Sequence, residues 1–245
     1  MTTDINCDMG EGVGNDEQLM PFISSVNIAC GKHAGDATTM RETILLAQKQ
    51  GVKIGAHPSF DDKKNFGRAE MNLPETELYN LVFSQMEELQ NICQSVGAQL
   101  HHVKPHGALY NLSARDARTA ALIARAVKNF NSDLILFGLS GSHSISEAKL
   151  IGLKTASEVF ADRTYQDDGS LTPRKEVNAL IESDTQALTQ VLEMIEYGIL
   201  TTVTNKKIKL QADTVCIHGD GAHAVTFAKK IFESFKAKGI EIKSV

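Results

Sequence analysis

Cysteine is scarce in this chain of 245 residues: Cys7, Cys30, Cys93 and Cys216 lie far apart and form no CxxC pair. That pattern excludes a disulfide framework and points to reduced thiols, as in the cytoplasm. No run of lysine and arginine occurs and the formal net charge is −5, so nucleic acid and anionic membrane surfaces find no electrostatic footprint. No apolar stretch approaches the roughly 20 residues that span a bilayer. The segment MTTDINCDMGEG is polar and acidic, unlike a secretory signal. A Walker A loop (GxxxxGK followed by Ser or Thr) is missing, and so is the HExxH zinc signature. GEGVGN carries the glycines of a dinucleotide loop but is trailed by acids rather than by a clean helix start. Tryptophan is absent too, which decides nothing.

What is present is a recurring unit: a short apolar strand, a polar loop, then a helix of 3.6-residue periodicity. The strands read DINCD, SVNIAC, VKIGAH, QLHHVK, LILFGL, KTASEVF and TVCIHGDG, with IEIKS as a further candidate. Between them the spacing predicts helices over about 40–50, 74–96, 114–129, 143–150 and 185–197, the last closed by Gly198 as a C-cap, and a final helix to about Lys238. Strands alternating with helices imply parallel pairing through right-handed crossovers. No linker or low-complexity segment breaks the chain, so one domain over 1–245 is expected. Seven or eight such units fit a (β/α) barrel better than the alternative, an open doubly wound sheet.

Strand side chains alternate between two faces, and in a barrel one face must be apolar and meet the helices. By that parity Ile5, Cys7, Val26, Ile28, Cys30, Ile54, Ala56, Val103, Val215 and Ile217 face outward. Asn6, Asp8, Asn27, Ala29, Gly55, His57, His102, Lys104, Cys216 and His218 face inward. The inward set gathers polar and ionisable groups toward the carboxyl ends of the strands, where barrel enzymes build their sites. HHVKPHG, with three of the eight histidines, reads as a strand emptying into such a site. Each residue alone also has an ordinary reading. A strand-end histidine can be structural, Asp8 can cap a turn, and Glu11 and Asp36 can be loop acids. Cys7 and Cys30 read as buried small apolar residues, and His101, His143 and His223 as surface or helix-end residues. The functional case rests on convergence.

Carboxylates and imidazoles in one cavity are components of general acid–base chemistry. Lys104 can stabilise a developing oxyanion, and its charge would hold a neighbouring His106 in the neutral form. Asp8, His57, His106 and His218 are also able to bind a divalent metal through mixed nitrogen and oxygen ligands.

The segments NCDMGEG, NIACGKHAGD, GAHPSF, FGR, HVKPHGALYN, EVFADRTYQDDGSLTPR and HGDGAHAV resemble, in order and over nearly the whole chain, the LamB/YcsF family, associated with one of the three subunits of bacterial ATP-dependent 5-oxoprolinase. The chain departs from the family pattern at Lys32 and Ala37, where an aromatic residue and proline are usual. The resemblance implies a barrel related to the glycoside hydrolase and deacetylase folds. It implies opening of the 5-oxoproline (pyroglutamate) lactam to glutamate with ATP as co-substrate, together with two partner subunits. On that reading Asp8 or Glu11 is the base toward water, and His57, His106 or His218 the acid. Lys104 and Arg163 neutralise anionic oxygens, and Asn6, Asn27, His33, Asp36 and Asp220 complete the substrate contacts. The alternatives are a metal-dependent deacetylase-like hydrolase and a non-catalytic substrate-binding subunit.

Overall fold

The computed structural model of the chain describes residues 1–219 and 224–245. In chain order the elements are β1 (Thr2–Met9), α1 (Asp16–Leu19), β2 (Ser25–Ala29), α2 (Ala37–Gln50), β3 (Lys53–His57), α3 (Glu75–Ser95), β4 (Leu100–Val103), α4 (Gly107–Arg115), α5 (Ala117–Phe130), β5 (Ile135–Leu139), α6 (His143–Leu150), β6 (Lys154–Phe160), α7 (Asp184–Tyr197), β7 (Ile199–Thr201), β8 (Lys207–Lys209), β9 (Thr214–Ile217), α8 (Ala224–Ala237) and β10 (Glu241–Ile242).

Strands β1 to β6 pair in sequence order, all parallel, and β9 closes the ring by pairing with both β6 and β1. The result is the expected (β/α) barrel, with seven strands in the wall. Strand β10 adds outside it, against the start of β1 at Thr2 and Thr3. The barrel wall follows the parity of the sequence: Ile5, Cys7, Val26, Ile28, Ala56, Val103, Val215 and Ile217 are fully buried under the helices. Burying each of the large aliphatic side chains contributes roughly 1.5–3 kcal/mol.

Local chemistry sets the helix ends. Asp36 and Asp116 accept from the backbone N–H of Thr39 and Thr119, starting α2 and α5. Helices α2 and α7 stop where Gly51 and Gly198 turn left-handed, at φ 71° and 63°.

Two differences from the sequence pattern matter for the site. The segment after Pro105, expected to be loop, is the helix α4; it is separated from α5 by Asp116, whose extended backbone ends one helix and caps the next. The segment between α7 and β9 carries an antiparallel hairpin, β7 with β8, whose three-residue strands are too short for a periodicity to register.

Candidate active site

The interior of the barrel is a hydrogen-bonded polar column. At its base the Asp4 carboxylate accepts from Ser24 Oγ (2.5 Å), Ser25 Oγ (2.8 Å) and Thr214 Oγ1 (2.5 Å). One level up, Asn6 Nδ2 donates to Thr214 Oγ1 (2.7 Å) and Glu158 Oε1 (2.9 Å). Asn27 Nδ2 then donates to Asn6 Oδ1 and to Asp8 Oδ1, each at 2.8 Å, and Asn27 Oδ1 accepts from His102 Nε2 at 2.9 Å. His102 stacks on Phe137, with ring centroids 4.2 Å apart. Its ring lies where a Cβ on residue 55 would stand, 2.1 Å from Nε2, so only glycine fits at Gly55.

Lys104 ends the column. Pro105 holds it extended, and its buried ammonium meets Asp8 Oδ1 (2.9 Å), Glu158 Oε1 (2.8 Å), Asn6 Oδ1 (3.2 Å) and Cys216 Sγ (3.2 Å). An ammonium has three protons, and these neighbours occupy them. The lysine does point inward, as its strand position requires, but it braces Asp8 and Glu158 and has no proton left over for a ligand oxygen. Burial pushes the Asp8 carboxyl up, yet the charges of His57 and Lys104 outweigh it and hold the group well below the usual carboxylate range.

Above Asp8 the cavity widens to about 1090 Å³ at the carboxyl ends of the strands. Asp8, Glu11, His57, Lys104, His106, Arg163 and His218 all line it. Asn6 and Asn27 lie beneath, in the column, and reach the cavity only through Asp8 and Lys104. His33 sits behind the wall, its Nε2 3.1 Å from Glu11 Oε1 and its ring stacked on His106 at 3.7 Å. Asp36 is not brought to the cavity; it is the exposed cap of α2. Asp220 and His223 fall outside the described residues. Lys32, one of the departures from the family pattern, pairs with Asp61 at the surface, and Ala37 is an exposed residue at the start of α2, so neither lines the cavity.

On one wall His57 Nδ1 donates to the Lys104 carbonyl (2.7 Å) and His106 Nε2 donates to the Phe66 carbonyl (2.9 Å). The Phe66 carbonyl is delivered by a close approach of two glycines: a Cβ on Gly107 would stand 2.6 Å from the Gly67 carbonyl oxygen. Their other nitrogens, His57 Nε2 and His106 Nδ1, face each other at 2.9 Å. His57 Nε2 also lies 3.3 Å from Asp8 Oδ2, and His106 Nδ1 3.6 Å from Glu11 Oε1. Glu11, His33, His57 and His106 place one ligand atom each within 4.8 Å of one another, a grouping able to hold a metal ion. His106 is held neutral, well below the usual histidine range, by burial first and then by His57 and His33; Lys104, the cause expected from the sequence, is not among the leading ones.

The opposite wall holds a second arrangement that parity alone reaches only in part. His218 Nδ1 donates to Asp162 (2.8 Å), and Arg174 donates to His218 Nε2 (2.9 Å). Burial raises the Asp162 carboxyl, but the His218 charge and hydrogen bond more than offset that and lower it. Arg163, although it lines the cavity, commits its guanidinium to the 162–181 loop, donating to the carbonyls of Ala179 (3.2 Å) and Thr172 (2.6 Å). Glu158, Asp162 and Arg174 do not stand out in the sequence. Alternation along KTASEVF is the signal that would find Glu158; Asp162 and Arg174 lie on a loop with no periodicity to read.

The profile of the LamB/YcsF family matches residues 3–245. A protein of Tolumonas auensis, named as a component subunit of 5-oxoprolinase, is 50% identical over 247 residues, covering 99% of this chain and 98% of that one. A Staphylococcus aureus protein of the same name is 48% identical over 250 residues and the full length of both. The crystal structure of a lactam utilization protein from Thermus thermophilus superposes with a TM-score of 0.93 at 37% identity, covering 100% of both chains. A Bacillus subtilis peptidoglycan deacetylase, at 12% identity and a TM-score of 0.52 over 100% of this chain and 87% of its own, shares the fold.

Proposed function

The chain belongs to the LamB/YcsF family, and from that premise we propose that it is the ring-opening subunit of an ATP-dependent 5-oxoprolinase, working in the cytoplasm with two partner subunits. The observation that carries the reading is the pairing of Asp8 with His218 across one cavity. One is a carboxylate kept ionised; the other is an imidazole whose Nδ1 proton is anchored so that Nε2 faces the ligand space.

A lactam is a stabilised amide, and water opens it slowly. Transfer of a phosphoryl group from ATP to the amide oxygen makes the ring carbon far more open to attack. Asp8 then orients a water molecule and accepts its proton as the water oxygen bonds to that carbon. A carboxylate of such low proton affinity does not retain the proton, and this keeps it ready for the next turnover. Once Arg174 has left Nε2 and that nitrogen has taken up a proton from solvent, the carbon–nitrogen bond breaks as His218 delivers this proton to the leaving ring nitrogen. The γ-glutamyl phosphate so formed is then hydrolysed to glutamate and inorganic phosphate. Arg174 occupies Nε2 at rest, so it must swing onto an anionic oxygen of the ligand, which couples ligand entry to release of the acid. Glu11, whose Oε1 lies 3.1 Å from His33 Nε2, is the second candidate for the base.

No P-loop occurs in the sequence, so ATP is assigned to the partners or to a site shared with them. The cavity supports sharing: at about 1090 Å³ it is slightly above the roughly 300–1,000 Å³ usual for small-molecule sites, far more than a five-membered lactam fills. The test is glutamate production from 5-oxoproline and ATP, by this chain alone and by the three subunits together. Turnover only in the complex is expected. Full turnover by the isolated chain would contradict its dependence on partners, and no glutamate from the complex would contradict the reaction.

A further inference from the structure

The facing nitrogens of His57 and His106 pose a problem that the acid–base scheme does not use. A carbonyl oxygen only accepts, so the proton of His57 must be on Nδ1, toward Lys104, and that of His106 on Nε2, toward Phe66. In neutral imidazoles this leaves two lone pairs directed at each other across 2.9 Å. A carboxylate oxygen of Asp8 adds a third at 3.3 Å from His57 Nε2, and one of Glu11 a fourth at 3.6 Å from His106 Nδ1. Such a convergence of lone pairs requires a positive centre among them, either a second proton on His57, donated from Nε2 to His106 Nδ1, or a bound cation.

We propose that Glu11, His33, His57 and His106 form a binding site for one divalent transition-metal ion of the zinc, cobalt or manganese class. Three imidazole nitrogens and one carboxylate oxygen suit such ions and are poor ligands for magnesium or calcium, which prefer all-oxygen shells. A tetrahedral site with bonds of about 2.1 Å sets its ligand atoms about 3.4 Å apart. Three of the six pairs stand near that edge, at 2.9, 3.1 and 3.6 Å, and all six lie within 4.8 Å, so closure around an ion draws the wider pairs in by no more than about 1.4 Å. The second shell is built as well: metal-bound histidines characteristically donate their remaining N–H to a carbonyl or carboxylate. His57 and His106 already do so. His33 does not, since its Nδ1 is buried without a partner, and it is therefore the least firmly held ligand. Asp8 lies just outside the four, its Oδ2 3.3 Å from His57 Nε2. A bound ion would supply Lewis acidity at the floor of the cavity.

The inference rests on the geometry of these side chains and stands apart from the identity of the substrate, so its test uses no substrate. The purified full-length chain, stripped with a chelator, is titrated with zinc and with cobalt(II), following heat, metal content after gel filtration, and the visible bands of cobalt. One equivalent of each metal, with the intense bands of a four-coordinate cobalt site, is expected. His57→Ala and His106→Ala should each weaken binding at least 100-fold, and His33→Ala less. Should the variants fail to fold, nitrogen-15 NMR of the wild-type histidines decides. In the stripped protein Nδ1 of His57 and Nε2 of His106 should carry the protons, and zinc should shift His57 Nε2 and His106 Nδ1. No stoichiometric binding, binding unchanged in both variants, or a proton found between the two rings that zinc does not displace would each overturn the proposal.

Discussion

His102 and His57 stand on neighbouring strands of one barrel and point into the same interior, yet their surroundings differ in kind. His102 is enclosed: it donates to Asn27, stacks on Phe137 and, through Asn27, joins a column in which each polar group down to Asp4 has its counterpart. His57 is anchored at one nitrogen only, and the other looks toward His106, Asp8 and the cavity. Below Lys104 the polar groups satisfy one another, apart from the buried Glu158 Oε2, and hold the barrel in register. Above it they are held in place from behind and face the cavity. Buried polar networks are tolerated when every member is partnered, and departures from that rule concentrate where chemistry is done. Lys104 is the boundary, with one carboxylate in each region.

The sharpest way to break this comparison is to remove the boundary. Lys104→Met leaves the carboxylates of Asp8 and Glu158 without their shared ammonium, and loss of one partner in a buried ion pair costs about 3–5 kcal/mol. Denaturant unfolding should show that loss. A change under about 1 kcal/mol would mean that the lysine serves the ligand and not the barrel.

His218→Asn should do the reverse. Its side chain is partly exposed at the rim, so stability should hold while ring opening in the reconstituted complex falls about 10²- to 10³-fold, the scale of a lost general acid. A rate within twofold of wild type would remove His218 from the chemistry.

The smallest effect concerns Asp4, at the base. Burial lifts its carboxyl to about 6 against the hydrogen bonds that it accepts from Ser24, Thr214 and Ser25. Between the ordinary value of 3.8 and about 6 the folded chain keeps a proton that the unfolded chain has released. Stability therefore falls as pH rises through that window, by at most about 3 kcal/mol, and the whole cost is present at neutral pH. Asp4→Asn should flatten this part of the profile when unfolding is compared at the two ends of the window. An unchanged slope would place the titration elsewhere.

The two regions are not equally legible in the sequence. Alternation along β1 to β4 and β9 yields the column and the inward position of Asp8, His57, Lys104 and His218, because strand geometry is local and strict. It does not say which inward groups neutralise one another. The role expected for Lys104 at a ligand oxygen yields to Asp8 and Glu158, whose convergence depends on barrel closure between β1, β4, β6 and β9. Helix α4 is hidden by its opening Gly107, and Asp36, prominent in GKHAGD, is the cap of α2. His33 joins the site through loop geometry that no periodicity encodes. Asp162 and Arg174, the partners of His218, belong to the 162–181 loop and escape notice for the same reason.

The central claim is that the cavity above Lys104 opens the ring, with Asp8 directing the water. Asp8→Asn keeps the side-chain volume and removes the charge. The decisive measurement is glutamate formed from carbon-13-labelled 5-oxoproline and ATP by the three-subunit complex carrying this variant, with its fold checked by circular dichroism and its assembly by gel filtration. The account predicts an intact complex and a loss of at least about 10³-fold, within the range of acid–base catalysis. Glutamate formation at the wild-type rate by that complex would contradict it.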